Sequence, residues 1–120
     1  DRDGNALDAG RTIRHAGRTQ RRALRAMYRT CAIGGCDVPF ERCEIHQIVP
    51  WEVGGATDLA NLVPACSRHH HLIHELDWRL NLHPDRTLDV TGPDGTPIAT
   101  GEPDVPPQRR RPNRRRRPAA

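Results

Sequence analysis

Cysteine and histidine residues in the middle of the chain have the spacing of metal ligands. Cys31 and Cys36 are separated by four residues, and Cys66 and His69 by two. Because Cys66 and His69 are three residues apart, they would share one face of a helix. Three thiolates and one imidazole form a ligand set that suits tetrahedral zinc. The sequence therefore predicts a structural zinc site at these four residues.

A second set of histidines overlaps the same segment. His70 and His74 are four residues apart, so on a helix they share a face that lies about 100° round from His69. A further ligand must come from outside the helix, and His46 on the preceding strand is the best placed candidate. Three imidazoles that leave coordination positions open are typical of a catalytic site, because water and a phosphate oxygen can bind the same divalent ion.

The elements that would position these residues follow from the hydrophobic pattern. We predict a helix over about residues 20–29, a strand over 43–49 that Pro50 ends, and a second helix over about 66–76. Alternating apolar residues over 78–82 and 88–90 predict two further strands, joined as a hairpin. The order of strand, loop and helix places the histidine of the strand near those of the second helix.

Composition limits the size of the core. A chain of 120 residues with 35% hydrophobic and 3% aromatic content forms one small domain, and such a thin core usually needs metal or disulfide staples. No apolar run is long enough to cross a membrane and no secretory signal is visible, so we expect a cytoplasmic setting. In that setting the cysteines are expected to be metal ligands, with disulfides as the alternative. Because the chain begins with Asp1, we expect it to be the C-terminal part of a longer protein.

The charges are unevenly distributed. All 19 basic residues are arginines, of which seven lie in residues 11–29 and seven in residues 109–117. Residues 30–107 hold 4 arginines against 12 acidic residues, a balance of 4 − 12 = −8. Basic segments on either side of an acidic centre fit a protein whose arms hold a polyanion while metal ions offset the charge of the centre. A solvated helix face and a disordered tail are the alternative interpretation.

These residues resemble the HNH, or ββα-metal, endonucleases. The resemblance covers about residues 3–100 and is strongest for the actinobacterial subgroup in which an HNH module closes a longer protein. It is carried by Cys43-Glu44-Ile45-His46-Gln47-Ile48-Val49-Pro50-Trp51, Gly54-Gly55, Asp58-Leu59-Ala60-Asn61-Leu62 and Cys66-x2-His69-His70-x3-His74.

The resemblance implies an α+β fold, with a small ββα-metal finger that carries zinc knuckles. With the composition, it predicts an N-terminal extension and Arg-rich helix over 1–29, an HNH nuclease domain over 30–83 and a β-hairpin buttress over 84–101. A disordered, Arg- and Pro-rich tail is expected over 102–120.

Roles for single residues also follow from the resemblance. His46, His70 and His74 match the ligands of the catalytic divalent ion, which would be magnesium, manganese, nickel or zinc. Asn61 matches the asparagine that braces the loop and helps to orient the base. Cys31, Cys36, Cys66 and His69 match the zinc knuckles, and Cys43 is a rival zinc ligand.

The main departure from the family pattern is Gln47, which stands where the general-base histidine is expected. An amide cannot accept a proton, and loss of a positioned base costs about 10²- to 10⁴-fold in rate. The activity is therefore expected to be weak, or to depend on the metal ion to activate water. His71 acting through a water, or Glu44 as ligand with His46 as base, are alternatives.

The sequence thus predicts a metal-dependent DNA endonuclease that hydrolyses phosphodiester bonds. Alternatives are a catalytically impaired HNH-fold module that binds nucleic acid, and a binding module with a single zinc staple and surplus histidines. We expect DNA as the partner, with no membrane and no small organic cofactor. His15 and His83 are isolated and are expected to be surface or loop residues. The arginines predicted to contact nucleic acid are Arg18, Arg21, Arg22, Arg25, Arg29 and Arg68.

Overall fold

The first helix of the computed structural model, which describes residues 7–107, is α1 at Arg18–Met27. It begins at Gly17, whose backbone N–H donates to the Gln20 side chain at 2.9 Å. The helix thus starts before the predicted residue 20, because Gly17 is the N-cap and the Gln20 side chain caps the first turn. Leu24 on its inner face is fully buried.

A strand pair followed by a helix forms the centre of the fold. Strands β1 (Cys43–Gln47) and β2 (Leu62–Cys66) are antiparallel, and β2 is buried along its whole length. Helix α2 (Ser67–Glu75) follows β2 without a linker, and the side chain of Cys66 accepts a hydrogen bond from the His69 backbone N–H at its first turn. This connection sets α2 against both strands and brings its histidines towards β1.

The loop between β1 and β2 carries two short 3₁₀ turns, at Trp51–Val53 and Leu59–Asn61. Gly55 packs so closely in this loop that a Cβ atom there would lie 1.7 Å from the carbonyl oxygen of Val49. Only glycine fits this position without a shift of the backbone.

Three strands form a second sheet after α2. They are β3 (Arg79–Leu82), β4 (Leu88–Thr91) and β5 (Pro97–Gly101), all antiparallel in that order. The sequence predicted the first two as a hairpin, and β5 extends it to a three-stranded sheet. The backbone N–H of Gly34 donates to the carbonyl of Thr100 at 2.8 Å and connects the sheet to the segment between the first two cysteines. The small α+β fold with two helices and antiparallel sheets confirms the predicted fold class at this level.

A buried arginine closes the core between the two sheets. Arg86 has a left-handed backbone (φ 71) and is 5% exposed. Its guanidinium donates to the hydroxyl of Tyr28 and to the carbonyls of Leu59 and Leu62, at 2.5–3.1 Å. The main apolar residues of the core are Leu24, Tyr28, Phe40, Leu62, Val63, Leu88 and Val90.

Both ends of the described chain are attached to this core. The N-terminal segment, defined as residues 8–16, lies along the β1–β2 loop through hydrogen bonds between Ala9 and Thr57 and between Thr57 and Gly10. Residues 102–107 lie against the end of α1, where Asp104 accepts from the Arg29 backbone N–H at 2.7 Å. The rest of the predicted tail, 108–120, lies outside the described residues. Within residues 7–107 no helix is long and apolar enough to cross a membrane.

Candidate metal centres and catalytic cleft

Cys31, Cys36, Cys66 and His69 converge on one point, with all four ligand atoms within 4.8 Å of one another. The Sγ atoms of Cys36 and Cys66 are 3.9 Å apart, and His69 Nδ1 lies 3.6 Å from Cys31 Sγ and 3.3 Å from Cys66 Sγ. Tetrahedral zinc with ordinary bond lengths implies about 3.8 Å between two sulfur ligands and about 3.6 Å between sulfur and nitrogen. The spacing fits a zinc ion.

Local backbone geometry prepares these thiols to carry charge. The Cys66 backbone N–H donates to Cys31 Sγ, and the His69 backbone N–H donates to Cys66 Sγ, both at 3.4 Å. Burial nevertheless raises the pKa of the Cys31 thiol to about 12. Because a thiolate in this position is costly without a positive partner, the donor set suits a cation that would hold the sulfur deprotonated.

Cys43 lies beside this cluster and outside the four-residue group. It faces Cys66 across the β1–β2 ladder, and its thiol donates to the carbonyl of Pro39 at 3.4 Å. Burial, with smaller contributions from Cys66 and Cys36, raises its pKa to about 11. The geometry is that of a protonated thiol bound to the backbone.

His46, His70 and His74 form the second group of ligand atoms, again within 4.8 Å of one another. The Nε2 atoms of His70 and His74 lie 3.2 Å apart, and the ring of His46 meets both others edge to face, with centroids at 5.1 and 5.6 Å. Two imidazole nitrogens on one metal ion at about 2.1 Å each would be separated by about this distance. The residues present therefore fit a divalent ion held by three imidazoles.

The environment of His46 and His70 favours the neutral form of both side chains. Burial, followed by the proximity of His70 and His74, lowers the pKa of His46 to about 4. Burial also lowers the pKa of His70, against the opposing effect of Glu44, whose carboxylate lies 3.7 Å from His70 Nδ1. A carboxylate at Nδ1 favours a proton on that nitrogen and leaves Nε2 free as a ligand.

A cavity of about 290 Å³ opens beside the histidine group. Its walls come from β1, α2, the β1–β2 loop and the N-terminal segment. The lining residues are Arg14, His15, Ile45, His46, Gln47, Pro50, Trp51, Glu52, His70 and His74. We call this cavity the cleft.

Gln47 lines the cleft but is held by the N-terminal segment. Its Nε2 atom donates to the carbonyl oxygen of Arg14 and, at 3.2 Å, to the Thr57 hydroxyl. Its Oε1 atom is buried without a hydrogen-bond partner among the described residues.

Asn61 fixes the loop that forms one wall of the cleft. Its side-chain amide donates to the carbonyls of Val49 and Ala56 at 2.9 and 2.8 Å, and its Oδ1 accepts from the Val49 backbone N–H at 2.9 Å. All of its side-chain hydrogen-bonding groups are therefore used for the loop, and none is directed to the histidines.

The arginines predicted to contact nucleic acid, Arg18, Arg21, Arg22, Arg25, Arg29 and Arg68, are all exposed. Arg25 is paired with Glu41 at 2.6 Å. Among residues 7–107, neither Arg18 nor Arg22 forms an ion pair. The positive charges of Arg18 and Arg22 are therefore available to an external anion.

The structure brings together the cysteines and histidines that the sequence grouped, and it also places part of the N-terminal segment at the cleft, which the sequence did not predict. His15, expected to be an ordinary surface residue, is exposed and also lines the cleft. His71, weighed as a substitute base, points away from the cleft to Glu75, with its Nε2 at 2.5 Å from that carboxylate. No periodic pattern signals the placement of His15, because it depends on long-range contacts of an irregular segment.

Fold and sites define a small α+β module that can hold two metal ions, one in a closed cluster and one beside an open cleft. Residues 29–76 match the family model described as HNH endonuclease. The match supports an HNH domain in this segment and, with it, a nuclease or nucleic-acid-related function.

Similar proteins are known from mycobacteria. An uncharacterized protein of Mycobacterium tuberculosis is 42% identical over 72 residues, which are 59% of this chain and 13% of the relative. A second one from the same species is 39% identical over 84 residues, covering 68% and 18% of the two chains. An uncharacterized protein of Mycobacterium bovis is 38% identical over 76 residues, covering 62% and 16%. The chain spans a fifth or less of the length of these relatives. No solved structure matches it.

Proposed function

We propose that the chain is a metal-dependent DNA endonuclease that hydrolyses phosphodiester bonds in the cleft. The observation that carries this proposal is the convergence of His46, His70 and His74 on one point at the wall of an open cleft. A divalent ion held there, whether magnesium, manganese, nickel or zinc, would stabilise the charge that develops on the phosphate and on the leaving 3′ oxygen.

The residues of the chain have separate roles in this proposal. Burial keeps His46 neutral, so its lone pair is available to a metal ion. Glu44 orients the His70 imidazole through Nδ1. Asn61 acts through the loop and so helps to orient the groups of the cleft wall.

The second metal in the proposal is a structural zinc at Cys31, Cys36, Cys66 and His69. It joins the segment before β1 to the start of α2, which a thin core alone would hold weakly. Cys43 is not a ligand, because its thiol already donates to Pro39. The use of cysteines as metal ligands fits a reducing, cytoplasmic setting.

DNA is the proposed substrate, held through its phosphates by the exposed arginines of α1 and by Arg68 at the start of α2. Because the relatives extend far beyond the matched region, we further propose that the chain is a C-terminal HNH module of the actinobacterial type within a longer protein. Its nuclease domain is proposed at 30–83, between the basic N-terminal part, 1–29, and the buttress, 84–101.

Cleavage of supercoiled plasmid DNA tests this function. The native chain, incubated in turn with Mg²⁺, Mn²⁺, Ni²⁺ and Zn²⁺, is expected to nick or linearise the plasmid with at least one ion. His70→Ala should abolish cleavage, whereas the control His83→Ala, in a histidine paired with Asp89 outside the cleft, should leave it unchanged. Equal cleavage by native and His70→Ala protein would show that the site is wrongly assigned.

A second candidate function is a nucleic-acid-binding module of the same fold without catalysis. The observation that favours it is Gln47, because an amide stands where the family places its general base. If the native chain binds DNA but does not cut with any of the four ions, while Gln47→His cuts, this second function replaces the first.

A further inference from the structure

Hydrolysis in the cleft needs a group that takes a proton from the attacking water. His46, His70 and His74 would not be available for this, since each imidazole would use its free nitrogen to hold the ion. Among the other lining residues, proton acceptors are limited to His15 and Glu52, because Gln47 is an amide and Arg14 a cation.

Glu52 is a poor acceptor in this position. Its carboxylate is paired with the guanidinium of Arg14. A hydrogen bond from its own backbone N–H and the charge of Arg14 lower its pKa, which weakens it as a base. Within residues 7–107 His15 makes no hydrogen bond, so no group in the described part of the chain occupies its ring nitrogens.

The backbone next to His15 is firmly attached to the cleft wall. The carbonyl of Arg14 accepts hydrogen bonds from the side chains of Gln47 and Thr57. The Arg11 guanidinium lies 4.5 Å from the ring centroid of Trp51 and donates to the Gly55 carbonyl at 2.7 Å. An exposed histidine is thus carried on a segment that is anchored on both the strand and the loop.

We propose that His15 is the general base of the cleft and that Gln47 is the positioning residue that holds it there. This inference rests on the proposed nuclease function. Imidazole is suited to the role near neutral pH. The amide at position 47 cannot accept a proton itself, but it fixes the residue before the histidine that can.

With His15 as the base, hydrolysis transfers one proton from water to the protein. One O–H bond of water breaks and its proton moves to the free nitrogen of neutral His15. The water oxygen forms a bond to phosphorus, and the bond between phosphorus and the 3′ oxygen breaks. The 3′ oxygen takes a proton from solvent, and His15 releases its own proton to solvent at the end of the cycle.

Single-turnover plasmid cleavage at saturating Mn²⁺ tests the role of His15. His15→Ala is expected to lower the rate by about 10²- to 10⁴-fold. The matched control is His71→Ala, another exposed histidine, which lies outside the cleft and should leave the rate unchanged. Imidazole added to the buffer should restore part of the rate of His15→Ala and should not accelerate the native chain.

Binding measurements distinguish a general base from a metal ligand and from a contact to the DNA phosphates. His15→Ala should bind Mn²⁺ and a short DNA duplex about as tightly as the native chain, because His15 is neither a ligand nor a main phosphate contact. A loss of Mn²⁺ affinity would make His15 a ligand and would overturn the proposal, as would a rate unchanged from native.

The function of Gln47 has its own variant. Gln47→Leu removes the donor to the Arg14 carbonyl, so it should lower the rate while leaving Mn²⁺ affinity intact. In the His15→Ala background, Gln47→His should recover cleavage, because it supplies a base from the strand. If Gln47→Leu cuts as fast as the native chain, Gln47 does not position His15. If the native chain itself never cuts, the nuclease function fails and this inference fails with it, whereas native cleavage with an active His15→Ala variant removes only the inference.

Discussion

Burial of His46 determines its protonation state as well as its position. The pKa of about 4 lies below the ordinary value near 6.5, because the buried imidazole and its two histidine neighbours disfavour a further positive charge. The same burial that places the ring at the metal site therefore keeps it able to bind a metal ion down to mildly acidic pH.

This shift predicts an acid-dependent loss of stability. With the histidine cluster free of metal, the unfolded chain binds a proton at His46 near pH 6.5, while the folded chain resists it until about pH 4. Stability is therefore full above this window and falls as the pH drops through it, by on the order of 3 kcal/mol in total. Urea unfolding at several pH values should show this slope in the native chain and a shallower one in His46→Gln. Parallel curves for the two proteins would contradict the prediction.

Glu44 lies outside the histidine group but beside one of its candidate ligands, whose ring it can orient. Its carboxylate is largely exposed, yet it lies 3.7 Å from His70 Nδ1. Partners of this kind fix the ring and its tautomer, and their loss typically weakens metal binding by about 10- to 100-fold. At this long distance we expect the lower end, so Glu44→Gln should weaken Mn²⁺ binding by about tenfold in a calorimetric titration. Glu41→Gln, another exposed glutamate whose partner is Arg25, serves as the control and should bind Mn²⁺ normally. Equal affinity of both variants would exclude an orienting role for Glu44.

At the scale of elements, the short helix α2 serves two sites. Cys66 and His69 face the closed cluster, while His70 and His74 face the cleft. Because the helix has only nine residues, its position depends on what its first turn is attached to. The proposed zinc ion supplies that attachment, so its loss should disturb both sites.

Variants of the cysteines test this attachment. Elemental analysis of the purified native chain should find one tightly held zinc ion. The ion should be retained in His74→Ala and lost in Cys36→Ala, and Cys36→Ala should also lose much of its folded structure. Cys43→Ser is the matched control, because the same type of residue beside the cluster should not hold the metal. Zinc lost from Cys43→Ser as readily as from Cys36→Ala would make Cys43 a ligand, and a disulfide between Cys31 and Cys36 would contradict the zinc site.

The elements also show why part of the fold could be predicted and part could not. The helix at 66–76 and the strand starting at Cys43 carry their ligands at fixed spacings, so local periodicity was enough to predict them. Arg86 and Gln20 are buried, and their side chains donate hydrogen bonds to carbonyls of residues that are distant in the sequence. Because both are polar, the hydrophobic pattern does not predict their burial. The position of His15 could not be predicted for the same reason, since it depends on contacts between Arg14 and the strand.

At the scale of the whole molecule, charge is partly neutralised where basic segments meet the acidic centre. The guanidinium of Arg25 pairs with Glu41, and that of Arg14 pairs with Glu52. A count of arginines in the sequence therefore overstates the positive charge available to DNA. Arg18, Arg21 and Arg22 form no ion pair within residues 7–107, but the Arg21 guanidinium lies over the Phe40 ring. Arg18 and Arg22 are therefore the better candidates for phosphate contacts on α1.

This difference predicts how DNA affinity depends on salt. Each phosphate neutralised by a free arginine contributes about −0.9 to the slope of log affinity against log salt concentration. Replacing both Arg18 and Arg22 by glutamine should therefore make the slope shallower by about 2. Fluorescence anisotropy with a short labelled duplex, measured from low to physiological salt, provides the slope. Arg79→Gln is the control, since Arg79 lies beside Asp77 and its loss should change the slope little. If the double variant keeps the native slope, Arg18 and Arg22 do not contact the DNA, and the contacts come from other arginines, such as Arg68 or those beyond residue 107.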